Sequence, residues 1–137
     1  MGRSGYDDGG DYDSWDAIRW RGAVLAAIRG KRGQAFLREM LMALDIMPEK
    51  QLINEYLESS DGAVCALGSV GKIRSLNMSD LDPYDYEIIA KQFGIARSLA
   101  QEIMWENDEA VYYKYETPKQ RFTRMRSWVV SKIAMKI

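Results

Sequence analysis

Residues 29–53, R-G-K-R-G-Q-A-F-L-R-E-M-L-M-A-L-D-I-M-P-E-K-Q-L-I, constrain the fold more than any other stretch. A basic, glycine-broken corner at Gly30 to Gly33 opens into a segment in which Phe36, Leu37, Met40, Leu41 and Leu44 recur at three- and four-residue steps. That spacing lines one side of a helix. Met42 and Ala43 widen the stripe, so the helix is expected to be covered over most of its surface and to sit at the centre of a fold.

The rest of the chain supplies partners for it. At 137 residues there is enough polypeptide for one domain with a real core. Residues 1–13, rich in glycine and aspartate, are expected to be a flexible acidic segment, leaving 14–137 as the single helical domain. Asp13 or Ser14 caps a first helix over 14–29, with Trp15, Ile18, Ala23, Leu25 and Ile28 inward and Gly30 as its stop. The core helix is expected over 33–46. Pro48 suits the first position of a third helix over 48–59 that buries Leu52, Ile53, Tyr56 and Leu57. Residues 63–75 read as a helix whose small residues (Gly68, Ser69, Gly71) admit a neighbouring helix backbone, with a short hairpin as the competitor. Asp82-Pro83 starts a helix that runs to Gln92 and breaks at Gly94; a further helix follows over 95–107. Val111 to Glu116 forms a tyrosine-rich connector. Thr117-Pro118-Lys119-Gln120 has the form of a capping box with proline at the first helical position, opening a last helix over 118–134. Phe122, Met125, Trp128, Val129 and Ile133 are its inward set. The class is therefore all-α, an orthogonal bundle of six to seven helices.

Charge excludes more than it suggests. The net charge of −1 gives no global field toward nucleic acid or membrane. No run approaches a membrane span, and M-G-R-S-G-Y-D-D lacks the apolar segment of a secretion signal, so a cytoplasmic location is expected. A single cysteine and no histidine leave little for a zinc site or a nucleophile–histidine pair, and no cofactor or catalytic residue is assigned. The charges nevertheless fall in blocks. Residues 76–116 carry nine acids against three bases, whereas the chain from Thr117 has six bases and no acid. Such blocks are expected chiefly to pair across the fold.

Four features could carry function. Residues 88–103, I-I-A-K-Q-F-G-I-A-R-S-L-A-Q-E-I, place Ala90 and Gly94 four apart among apolar positions, the pattern of a helix-turn-helix. Its would-be reading helix offers Arg97, Ser98 and Gln101, but Glu102, Glu106, Asp108 and Glu109 follow and would repel phosphate. The corner Arg29, Lys31 and Arg32 is the second candidate for nucleic acid, although no phosphate-binding glycine pattern is present. The acids Asp82, Asp85, Glu106 and Asp108 are a conceivable Mg²⁺ site. Acids at a helix C-terminus oppose the helix dipole, which favours an internal salt-bridge cluster with the basic last helix instead. Finally, Tyr84, Asp85, Tyr86, Glu106, Asp108, Glu109, Tyr112 and Tyr113 form a tyrosine–carboxylate set suited to gripping a basic protein surface.

The run R-G-K-R-G-Q-A-F-L-R-E-M-L-M-A-L-D-x-M-P-E-K-x-L-I, with G-A-V-C-A-L-G-S-V-G, F-G-I-A-x-x-L-A-Q-E-I-M-W-E-N-D-E and T-P-K-Q-R-F-x-R-M-R-S-W-V, resembles a group of small phage- and prophage-encoded proteins over about residues 14–130. The resemblance implies a non-enzymatic accessory protein acting in the cytoplasm of a bacterial host. It would bind and inhibit a host protein or protein complex, with an anti-phage defence complex of the CRISPR type as one specific target. A helix-turn-helix regulator acting through 88–103 is the alternative.

Overall fold

Gly30 ends one helix and begins the next, and the consequences run through the whole bundle. The computed structural model describes residues 2–6, 14–111 and 115–133. Among these, α1 spans Ser14–Arg29, α2 Lys31–Ile46, α3 Ala66–Ile73, α4 Tyr86–Phe93, α5 Arg97–Asp108 and α6 Pro118–Ile133. A 3-10 turn, Met78–Asp80, and one isolated antiparallel bridge between Glu58 and Val64 complete the regular structure, with no β-strand among the described residues. The fold is an all-α bundle.

The apolar stripe of α2 is buried as its periodicity requires. Phe36, Leu37, Met40, Ala43 and Leu44 are all inside, packed on α6, α3 and α1. Met42 departs from the expectation and is half exposed, so the covered surface is narrower than the sequence suggested. The α1–α2 corner is tight: a Cβ on Gly33 would stand 1.8 Å from the Ala27 carbonyl oxygen. Gln34 then ties three helices together. Its Nε2 donates to Ile28 O at 2.8 Å and to Lys132 O at 3.0 Å.

The second central helix is α5, which packs on α1, α3, α4 and α6 and buries Leu99, Ala100, Ile103 and Met104. Gly94 makes the α4–α5 turn in the left-handed region, at φ 72°, as the sequence anticipated. The start of α4 differs. Asp85, not Asp82, caps it, accepting from Ile88 N at 3.2 Å, while Asp82 Oδ1 accepts from Tyr84 N in a turn outside the helix. The last helix starts on a reciprocal capping box. Gln120 N donates to Thr117 Oγ1 at 3.1 Å, and Thr117 N donates to Gln120 Oε1 at 2.9 Å.

Further expectations are corrected. The helix expected over 48–59 does not form. Its backbone is committed to distant partners instead, with Leu52 N donating to Pro118 O at 3.1 Å and Ile53 N to Val64 O at 2.9 Å. Leu52 and Leu57 are buried, but Tyr56 is 55% exposed. The inward face of α1 is carried by Val24 and Ile28, while Trp15 and Ile18 are exposed. Within the N-terminal segment, Gly2 to Tyr6 lie against α5, with Arg3 and Ser4 fully covered. Met1 and residues 7–13 lie outside the described residues.

Residues 66–73 are helical, as preferred over a hairpin, but the close approach at Gly68 is to an irregular segment and not to a helix. A Cβ there would lie 1.9 Å from the Leu57 carbonyl oxygen. Gly68→Ala should therefore force α3 away from the 52–57 segment and cost about 1–3 kcal/mol. Urea unfolding would show it as a lower midpoint with an unchanged slope.

Candidate interaction surfaces

The last turn of α5 ends in carbonyls that carry partial negative charge, and the sequence adds Glu106, Asp108 and Glu109 to them. Arginines answer both. Arg124, on α6, donates from Nη1 to Glu106 O at 2.6 Å and from Nη2 to Asn107 O at 3.2 Å. The same guanidinium holds Glu116 through Nε at 2.6 Å and lies 3.3 Å from Glu106 Oε1. The salt-bridge cluster anticipated between the acidic segment and the basic helix is thus present.

Asp108 is taken by a residue that the sequence reading left in the mobile tail. Arg3 donates from Nε to Asp108 Oδ2 at 2.6 Å and from Nη2 to Oδ1 at 3.0 Å, with both side chains at least 94% buried. This bidentate pair is the strong form of the arginine–carboxylate contact. Neighbouring Ser4 donates to Glu109 Oε1 at 3.2 Å. Tyr6 donates to Glu102 Oε1 at 2.8 Å and accepts from Trp20 Nε1 at 3.0 Å, and Arg21 closes on the other Glu102 oxygen at 3.0 Å. Burial first, and then the Glu102 carboxylate, push the Tyr6 phenol well above its ordinary range. Asn107, 1% exposed, completes the node. Its Oδ1 accepts from Ala66 N at 3.1 Å at the start of α3, and its Nδ2 donates to Ile53 O at 3.0 Å.

The tyrosine–carboxylate set therefore does not form one outward surface. Glu106, Asp108 and Glu109 are bound into the interior ties just described. Asp85 caps α4, Tyr86 is half-buried against Gly5, and Tyr84 is 57% exposed. Tyr112 and Tyr113 lie outside the described residues. Among the described residues no group of three or more cysteines, aspartates or glutamates could hold a metal ion, so the Asp82, Asp85, Glu106 and Asp108 site does not assemble.

The helix-turn-helix pattern has the backbone of one but not its exposed face. Gln101 is 5% exposed and donates to Ser4 O at 2.8 Å, and Ser98 donates to Ala23 O at 3.5 Å on α1. Only Arg97 projects, paired with Glu87 at 3.3 Å. The would-be reading helix is a core helix. Arg29, Lys31 and Arg32 are all exposed at the α1–α2 corner, far along α1 from its first turn.

Two clefts were not legible in the sequence. One, of about 550 Å³, opens between the end of α2, the 47–51 turn, the 61–64 loop and α3. Ala43, Ile46, Met47, Val64 and Ile73 give it an apolar wall, and Glu49, Asp61 and Lys72 border it. Ile46 is 61% exposed beside it. The other, of about 430 Å³, lies between the N-terminal segment, α1 and the α4–α5 corner. Compared with family models, curated proteins and solved structures, the chain matches none.

Removal of the Arg3 guanidinium leaves a buried carboxylate without its partner. Arg3→Ala is expected to lower stability by about 3–5 kcal/mol, read as a fall in the denaturation midpoint. Glu106 makes a pH-dependent prediction. Burial raises its carboxyl above the ordinary value, Arg124 opposes that, and Glu102 adds to it. A carboxyl raised in the folded state contributes stability that is complete below its unfolded pKa and is lost as pH rises through its folded pKa. Glu106→Gln should therefore raise the melting temperature at neutral pH, and the gain should vanish on acidification to about pH 4.

Proposed function

We propose that the protein is a phage-encoded accessory protein that binds and blocks a host protein, with an anti-phage defence complex as the target class. The observation that carries the binding reading is the apolar cleft at the end of α2. Its aliphatic wall stands open, and Ile46 and Met42 are each more than half exposed on the same helix. Exposed aliphatic side chains beside a concave apolar wall with a charged rim have the anatomy of a protein-interface core. The phage context rests on the resemblance of the runs quoted above. The acidic and tyrosine residues first considered for this role are mostly committed internally, which moves the proposed contact to the α2–α3 cleft.

Tagged protein should capture one stoichiometric partner from bacterial lysate, and the complex should survive nuclease. Ile46→Glu should abolish capture while shifting stability by no more than about 0.5 kcal/mol, because the side chain is exposed. Recovery of nuclease-sensitive nucleic acid with no protein partner would overturn this reading.

A further inference from the structure

Helix α1 has an outward face that nothing among the described residues covers. Its inward side, Val24 and Ile28, is buried in the core. On the opposite side Trp15, Ile18, Gly22, Ala26 and Arg29 succeed one another at three- and four-residue steps, and all five are exposed. Trp15 is 68% exposed and Ile18 60%. Two large apolar side chains on adjacent turns form a patch whose hydration is unfavourable, as at an interaction site.

Gly22 has no role inside the fold. Glycine in the middle of an exposed helix weakens it relative to alanine. A Cβ at Gly33 or Gly68 would meet a carbonyl oxygen at 1.8 Å or 1.9 Å, but one at Gly22 would meet no atom within 4 Å. Its φ is not positive either, so the backbone does not require glycine there. What a bare position on a helix surface does permit is the close approach of another helix from outside the chain.

Charge selects the partner and its direction. Residues 7–16, which lead into the Trp15 end, hold five acids (Asp7, Asp8, Asp11, Asp13 and Asp16) and no base. Arg29, Lys31 and Arg32 stand at the other end, all exposed and with no ion pair among the described residues. A face acidic at one end and basic at the other is complementary to itself when turned end for end, and repels itself in parallel. Gly22 lies midway, seven residues from both Trp15 and Arg29. We propose that this face of α1 is the contact of a two-fold symmetric dimer, in which a second copy crosses antiparallel at Gly22. The two glycines then meet at the axis. Ile18 packs on Ala26 of the partner subunit, and Trp15 lies under Arg29 of the partner subunit as a cation–π pair. No residue of α1 lines the α2–α3 cleft, so this reading and the proposed function stand or fall separately.

The test is sedimentation equilibrium of the full chain over a range of concentrations, in which the mass should rise from 15.7 kDa to twice that value. One helix on its copy is a small interface, so a dissociation constant on the order of 10 µM is expected, weakening with added salt. Gly22→Leu adds bulk where the monomer has room. It should keep or raise the melting temperature of the monomer and weaken the dimer by about tenfold or more. Ile18→Glu, at an exposed position, should weaken the dimer as well and leave the fold unchanged by circular dichroism. Orientation is read by crosslinking. Gly22→Cys should join to itself on mild oxidation, whereas Arg29→Cys, two turns off the axis in each copy, should not. Cys65 is buried and does not compete. A monomer at every concentration would overturn the proposal and leave the face to a different partner. A dimer untouched by Gly22→Leu, or one that self-crosslinks at Arg29→Cys, would overturn it too.

Discussion

The C-terminal turn of α5 is where the structure is held together. A helix end presents carbonyls with no intrahelical partner, and this one adds three acids to them, so it can be buried only if cations and amide donors reach it. Arg124 reaches it from α6, Arg3 from the N-terminal segment, and Ala66 N from the start of α3 through Asn107. Each of those contacts spans a large distance in sequence. The irregular 47–58 segment is fixed in the same place, through Ile53 O on Asn107 and Leu52 O on Arg121 Nη1 at 3.0 Å. Remove this node and α3, α6 and both non-helical segments lose their register with α5.

What could be read from the sequence follows the range of the interactions involved. The Thr117–Gln120 capping box, the Gly94 turn and the stripe on α2 are local signals, and the structure contains all three. The 48–59 segment shows where local signals fail. Pro48 and the spacing of Leu52, Ile53, Tyr56 and Leu57 favour a helix, but the backbone there gains more from pairing with Val64 and Pro118 than from its own turns. On α1, Trp15 and Ile18 read as inward because they are apolar, yet tertiary packing begins only at Trp20. Arg3 was hidden for a different reason. A short stretch of glycine and polar residues cannot bury much by itself, and its covering comes from a carboxylate 105 residues away.

The candidate surfaces divide the same way. Acids at the end of α5 signalled a positive neighbour through their conflict with the helix dipole, and Arg124 is that neighbour. The same acids could not be recognised as unavailable to a partner without the position of Arg3. Arg74 is a comparable case. It lies 5.5 Å from the Phe36 ring centroid and donates to Phe93 O at 2.9 Å, so a loop base becomes a structural cap for α4. The cleft at the α4–α5 corner has no sequence signature at all, since its walls come from residues 5–6, 16–23, 86 and 97–101.

Opposite charge blocks can serve either stability or recognition, and here the two uses separate in space. Arg124, Arg121 and Arg126 from the basic helix are paired with Glu106, Glu116 and Asp45, and Arg3 and Arg21 with Asp108 and Glu102. Of these, the Arg3–Asp108 and Arg121–Glu116 pairs are the best covered, where loss of a partner is costly. The exposed pairs, Arg19–Asp16 and Arg97–Glu87, flank the cleft between the N-terminal segment, α1 and the α4–α5 corner. Pairs at that exposure add little to folding, so their guanidinium groups can change partners without loss of the fold. The bundle thus keeps its firm electrostatic ties at the C-terminal end of α5 and its exchangeable ones at the N-terminal end.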